Sequence, residues 1–349
     1  MADTKESKFL STYAELNRSP SVLLSALSGF AVADMVSSSC LKNTGPGPSS
    51  VTAEELSSLL TGDDGKLTAM VLICTGTVFS DDWRDGNRIF ENLLLPLGEN
   101  VDFADAENHH GHAICNALLK FSEGCPPELC GSFELPAQDA TALARIIPFS
   151  IRLAADCRLC IGERSMLVHE YTSLTHQNPE SLVACGFFSE IIRSLIFMDG
   201  MDIPSAIRDA YMFLHFYYKK NTSLRRYLRK FSFLLHPEIF ARTEQKTFFS
   251  SIKQDFPLLQ VLKTALYCLL NTSSYKECVR MALGSGICPD ISPAIAGALA
   301  GLAYGTGGIC PEWLRALKSR NRLKSMCSRC IRYGAPLDMD SVKTGNPAV

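Results

Sequence analysis

Gly286-Ile287-Cys288-Pro289-Asp290-Ile291-Ser292 runs into Ala294-Ile295-Ala296-Gly297-Ala298-Leu299-Ala300-Gly301, and the fold turns on this stretch. Tyr304-Gly305 and Pro311-Glu312-Trp313-Leu314 close the segment, which spans residues 281–314. Gly297 and Gly301 are four residues apart, so they share one helix face. A face without side chains lets a second backbone come close. Glycine costs up to ~1 kcal/mol in helix propensity, so its presence here predicts a central, tightly packed helix. Just ahead of it stand a thiol, Cys288, and a carboxylate, Asp290.

Working outward, nearly every strong pattern is helical. Residues 21–36 form an apolar run rich in small side chains, and Asn43-Thr44-Gly45-Pro46-Gly47-Pro48 is a loop by its Pro/Gly density. Thr52-Ala53-Glu54-Glu55 has capping-box spacing and predicts a helix to about residue 60. Thr61-Gly62-Asp63-Asp64-Gly65 interrupts, and an apolar stripe resumes over 66–79. Asn178-Pro179-Glu180 supplies a cap, a first-turn proline and a carboxylate that favours a helix N-terminus, predicting a helix to about 197. Another is expected over 207–218. Leu258, Leu259, Leu262, Leu266 and Leu269 recur at helical steps and make one buried face. Ser274-Tyr275-Lys276-Glu277 is a second capping box, opening a helix that ends near 283. Period-two alternation is scarce, so the fold class is all-α, a compact orthogonal bundle.

The chain has 349 residues, 46% of them hydrophobic and 20% charged, enough to bury a full core. A formal net charge of −2 provides no global attraction for nucleic acid or an anionic membrane. The polar opening Met1-Ala2-Asp3-Thr4-Lys5 has no secretory character, and no apolar run is expected to reach the about 18 residues of a membrane span. Fourteen cysteines then read as reduced thiols of a cytoplasmic protein, with Cys74, Cys185, Cys268 and Cys278 as small core residues.

The opening stretch resembles the C-terminal signature of the ADP-ribosylglycohydrolase superfamily, where a Gly-Gly-Asp-x-Asp-Thr metal loop precedes an alanine-glycine helix. Asp290 falls on the second aspartate of that loop, Cys288 on the first and Ile291 on the threonine, with Ser292 offering a hydroxyl one place on. Gly62-Asp63-Asp64-Gly65 resembles the Thr-Asp-Asp-Thr motif, with both threonines replaced by glycine. Ala33-Asp34 stands where a first helix ends in Gly-Asp, and the glutamate that follows in the family falls near Leu41. Arg145-Ile146-Ile147-Pro148 resembles the end of a Gly-Asn-Gly-x-x-Met-Arg-x-x-Pro segment, whose first three positions read Asp139, Ala140 and Thr141. Thr175-His176-Gln177-Asn178-Pro179 matches a Thr-His-x-x-Pro helix start, with His176 expected to be structural. The likeness covers roughly residues 23–317.

This resemblance implies a single domain over 21–335, with an N-terminal extension (1–20) and a C-terminal tail (336–349). It implies a metal-assisted hydrolase in which two Mg²⁺ ions bind the ribose hydroxyls of ADP-ribose attached to a protein side chain. Asp63, Asp64 and Asp290 are the implied ligands here, enough for one Mg²⁺ at most, because a hard cation takes many oxygen donors and a thiolate suits it poorly. Asp34, Arg145, Cys288 and Ser292 are the implied ligand contacts. The expectation is a homologue with a partly lost di-magnesium site, inactive or impaired, that keeps ADP-ribose binding or a structural role; the alternative is an active Mg²⁺-dependent hydrolase that removes ADP-ribose from modified protein side chains. ADP-ribose or an ADP-ribosylated protein is the expected partner, with no nucleic acid and no membrane.

Three other patterns read as ordinary structure. Cys157-x-x-Cys160 and Cys327-x-x-Cys330 are too far apart for a local zinc ribbon. His109-His110-Gly111-His112 reads as an exposed loop. The basic residues Lys219, Lys220, Arg225, Arg226, Arg229 and Lys230, interleaved with Tyr217, Tyr218, Tyr227 and Phe231, read as a solvated helix face beside core aromatics.

Overall fold

The structure, a computed structural model, describes residues 21–44, 64–97, 112–134, 139–198 and 202–330. The expected extension, the capping-box helix near 52–60, Asp63, His109, His110 and the tail lie outside them. Among the described residues there is no strand, only an isolated bridge between Ser132 and His176. The main helices are α1 (Ser21–Thr44), α2 (Lys66–Val78), α3 (Gly86–Leu94), α4 (His112–Ser122), α5 (Thr141–Ala154) and α6 (Ile161–Ser173). They continue with α7 (Pro179–Ile196), α8 (Ile203–Lys220), α9 (Pro257–Leu270), α10 (Tyr275–Gly284), α11 (Ser292–Gly308) and α12 (Arg320–Cys330).

The centre is the crossing of α1 and α11. A Cβ on Gly29 would lie 2.2 Å from the Gly297 carbonyl oxygen, and one on Gly301 would lie 2.3 Å from that of Ser25. No larger residue fits at these points, which explains glycine at 29, 297 and 301 despite its propensity cost. Tyr275 ties α10 into the crossing by donating to the Gly29 carbonyl at 2.6 Å. At Gly305, φ is 70°, so the helical backbone of α11 breaks there.

Helix starts follow the capping chemistry. Asn178 accepts from the Glu180 N–H at 2.9 Å, with Pro179 opening α7. Ser274 accepts from the Glu277 N–H at 3.3 Å, whereas the Glu277 carboxylate goes to Ser273, so only half of the expected box forms. The run at 21–36 belongs to a longer helix. Beyond it Ser37 donates to the Pro289 carbonyl, and Ser37, Ser39 and Cys40 are buried. Val22–Asn43 of α1 is thus long and apolar enough to cross a membrane, contrary to the sequence expectation, but 83% of its apolar window is buried in the fold. Burial by surrounding helices, rather than by lipid, accounts for its composition.

None of the fourteen cysteines is in a disulfide, and Cys74, Cys185, Cys268 and Cys278 lie in the core as expected. Cys157 and Cys160 are exposed, Cys327 and Cys330 buried. Lys219, Lys220, Arg225, Arg226, Arg229 and Lys230 are exposed around buried Tyr218 and Phe231.

Candidate functional site

The implied site forms where α1 and the loop before α11 meet the start of α2. Asp34, fully buried on α1, accepts from the Thr68 N–H at 2.8 Å and the Thr68 hydroxyl at 2.7 Å, both on Oδ2. A carboxylate at a helix N-terminus satisfies an otherwise orphaned N–H group. Its other oxygen, Oδ1, has no hydrogen-bond partner. Burial pushes the Asp34 carboxyl up to about 7 against the hydrogen bonds from Thr68, and the charge of Asp290 adds to the rise. Gly65, the N-cap of α2, sits directly on this carboxyl: a Cβ there would be 2.1 Å from Asp34 Cγ. A threonine at 65, as in the family motif, does not fit beside Asp34 in this arrangement.

The loop 286–292 is a tight turn, with φ of 66° at Gly286 and 41° at Cys288. The Ile291 and Ser292 N–H groups both donate to the Cys288 carbonyl, at 3.0 and 2.8 Å. The thiol itself donates to Gln260 Oε1 on α9, S···O 3.7 Å. Burial, then the charge of Asp290, push this thiol up to about 12, so it is uncharged at neutral pH. Asp290 is exposed at the turn, and Ser292 is buried with its hydroxyl lacking a hydrogen-bond partner. Asp64, also exposed, accepts from the Ser319 N–H at 3.0 Å.

Asp34, Asp290, Cys288 and Ser292 therefore gather at one place, with Asp64 next to Gly65 at its edge. Among the described residues no three His, Cys, Asp or Glu side chains are grouped to hold a metal ion. The donor chemistry agrees. A neutral thiol stands at the first loop aspartate, Leu41 carries no carboxylate, Asp34 is desolvated and Asp64 is hydrogen-bonded to backbone. These residues do not fit a two-ion magnesium centre, which needs about six oxygen ligands per ion.

A second constellation, spread over three segments, was not assembled by sequence reading. Asp139, ahead of α5, accepts from the Ala113 N–H (2.6 Å), the Thr141 N–H (2.8 Å) and the Thr141 hydroxyl (2.6 Å). His176 Nε2 stands 3.5 Å from Asp139 Oδ1, and its Nδ1 lies 2.8 Å from the Thr175 hydroxyl. Arg145 donates to that hydroxyl at 2.6 Å and to the carbonyls of Tyr171 and Thr172 at 2.8 and 3.3 Å. Arginine has only donors, so the Thr175 hydroxyl accepts from it, and the imidazole of His176 stands between that hydroxyl and Asp139. Burial would raise the Asp139 carboxyl, but the hydrogen bond and charge of His176 and the hydrogen bonds of Thr141 hold it well below the usual carboxylate range. Asp139, Arg145, Thr175 and His176 are all buried. Arg145 faces the interior, and the network ties α5 to the connection between α6 and α7.

The ADP-ribosylglycohydrolase family model matches residues 24–337, most of the chain. The chain belongs to the ADP-ribosylglycohydrolase family. A solved structure described as an ADP-ribosylglycohydrolase-related protein complex is similar in fold, with a TM-score of 0.63 at 18% identity, covering 90% of this chain and 99% of that one. No curated protein matches the chain. Family membership and the all-α bundle thus stand together, and the site is where this member departs from the motifs.

Proposed function

We propose that this ADP-ribosylglycohydrolase-fold protein has lost the family's two-metal hydrolysis and retains a binding or structural role toward ADP-ribose or ADP-ribosylated protein. The observation that carries this reading is Cys288. Where the metal loop carries an aspartate, an uncharged thiol is hydrogen-bonded to Gln260, while the loop around it keeps its tight turn. Metal-assisted cleavage needs a cation to position oxygen groups and stabilise developing charge, and the described donors do not form such a cage. Asp290, exposed at the turn, still offers a carboxylate to a hydroxyl-rich ligand, with Asp34 and Ser292 buried nearby.

The test separates binding from turnover. Calorimetry with ADP-ribose is expected to show binding that Asp290→Asn weakens. In parallel, ADP-ribosylated arginine and serine peptides with saturating Mg²⁺ are expected to release no free ADP-ribose. The alternative is a single bound ion beside the exposed carboxylate of Asp290. For that alternative, Mg²⁺ should raise the melting temperature and Asp290→Asn should abolish the rise.

A further inference from the structure

A cleft of about 320 Å³ opens beyond the far end of α2 from Asp34. The 13 residues of α2 put roughly 20 Å between the two places. Its interior is apolar and aromatic: Phe149 stacks on Tyr171 at 4.2 Å, with Leu167, Leu174 and Pro127 alongside. Trp83 forms one wall, 5.6 Å from Phe149 and held in place by the guanidiniums of Arg84 and Arg152, each 4.6 Å from its ring. The mouth carries three exposed carboxylates, Asp85, Glu128 and Glu170, against one lining cation, Arg84. Asp85 caps α3 by accepting from the Asn87 N–H at 2.9 Å. Glu128 and Glu170 make no ion pair among the described residues.

We propose that this cleft binds an organic cation, an ammonium or guanidinium on a short aromatic or aliphatic body. The body enters between Trp83, Phe149 and Leu174, and the cation remains at the mouth beside Glu128 and Glu170. The volume suits one small molecule or one side chain. A neutral apolar guest leaves the carboxylates without a partner, and an anionic one is repelled by them.

The chain has two tryptophans, and Trp313 is fully buried and does not line the cleft, so a change in indole emission reports on Trp83. Titration with 2-phenylethylamine, 2-phenylethanol and phenylacetate compares like-sized guests that differ in charge. The amine is expected to give a saturable emission change, with the alcohol and the acid binding at least about ten-fold more weakly. Glu128→Gln with Glu170→Gln should weaken the amine about ten-fold and leave the alcohol unchanged; both side chains are exposed, so the fold is not at stake. Calorimetry on Trp83→Phe checks that the optical signal comes from the cleft. N-acetyl-arginine amide separates the sources: binding as tight as the amine assigns the cleft to side chains of basic peptides, weaker binding to free amines. No saturable response to the amine, or phenylacetate binding as tightly, overturns the proposal.

Discussion

The crossing of α1 with α11 adjoins the loop that feeds α11, and the two are held by different forces. At the crossing, Gly29, Gly297 and Gly301 occupy points where a single Cβ meets backbone within 2.5 Å. In the loop, the turn closes through the Cys288 backbone carbonyl and not through its side chain. Packing constrains volume at the crossing, whereas the loop's backbone hydrogen bonds are indifferent to whether residue 288 carries a carboxylate. The packing of the bundle thus does not depend on which side chain residue 288 carries.

The largest expected effect is at the crossing. Gly29→Leu forces apart two helices that touch through their backbones, and should cost at least ~4 kcal/mol, read from the urea midpoint. A loss below ~1 kcal/mol would mean that the crossing is not what holds the bundle. Arg145→Met removes three hydrogen bonds from a buried network and leaves Asp139 and His176 without it; a loss of about 3 kcal/mol is expected by the same melt.

Asp34 tests the site side. Its folded pKa of about 7 lies above the ordinary 3.8, so the folded protein holds a proton that the unfolded chain releases between these values. That stabilisation is complete below about pH 4 and is lost as pH rises through 7, with a slope of at most ~1.4 kcal/mol per pH unit. Asp34→Asn should flatten this part of the profile and leave the variant no less stable than the parent at pH 8. An unchanged slope would remove Asp34 as the titrating group. Smallest of all, Cys288→Gly relieves the positive φ and should change stability by less than ~1 kcal/mol, in the stabilising direction if the Gln260 contact is weak. A large loss there would make the loop part of the framework and break the contrast with the crossing.

Much of the framework was legible because its signals are local. Asn178-Pro179 and Ser274 mark helix starts through their own side chains, the leucines of α9 repeat at helical steps, and the Gly297/Gly301 spacing announces a close approach. The resemblance named Asp34, Cys288, Ser292 and Arg145 together, whereas the fold sets Arg145 apart in its own buried network. What stayed hidden depends on distant partners. Asp64 accepts from Ser319, 255 positions away, and nothing near either residue shows it. The Asp139–His176–Thr175–Arg145 network joins segments whose neighbourhood only the folded helices create. Likewise, α1 runs past Val36 because Ser37 finds the Pro289 carbonyl, a contact invisible in a serine-rich stretch.

The family fold is present here, and the proposed loss of its two-metal hydrolysis is open to direct measurement. The most direct measurement is release of free ADP-ribose from ADP-ribosylated arginine and serine peptides in saturating Mg²⁺, run beside Asp290→Asn. Release from the parent is expected to be no faster than from the variant or from buffer. Magnesium-dependent turnover in the parent that Asp290→Asn abolishes would contradict it.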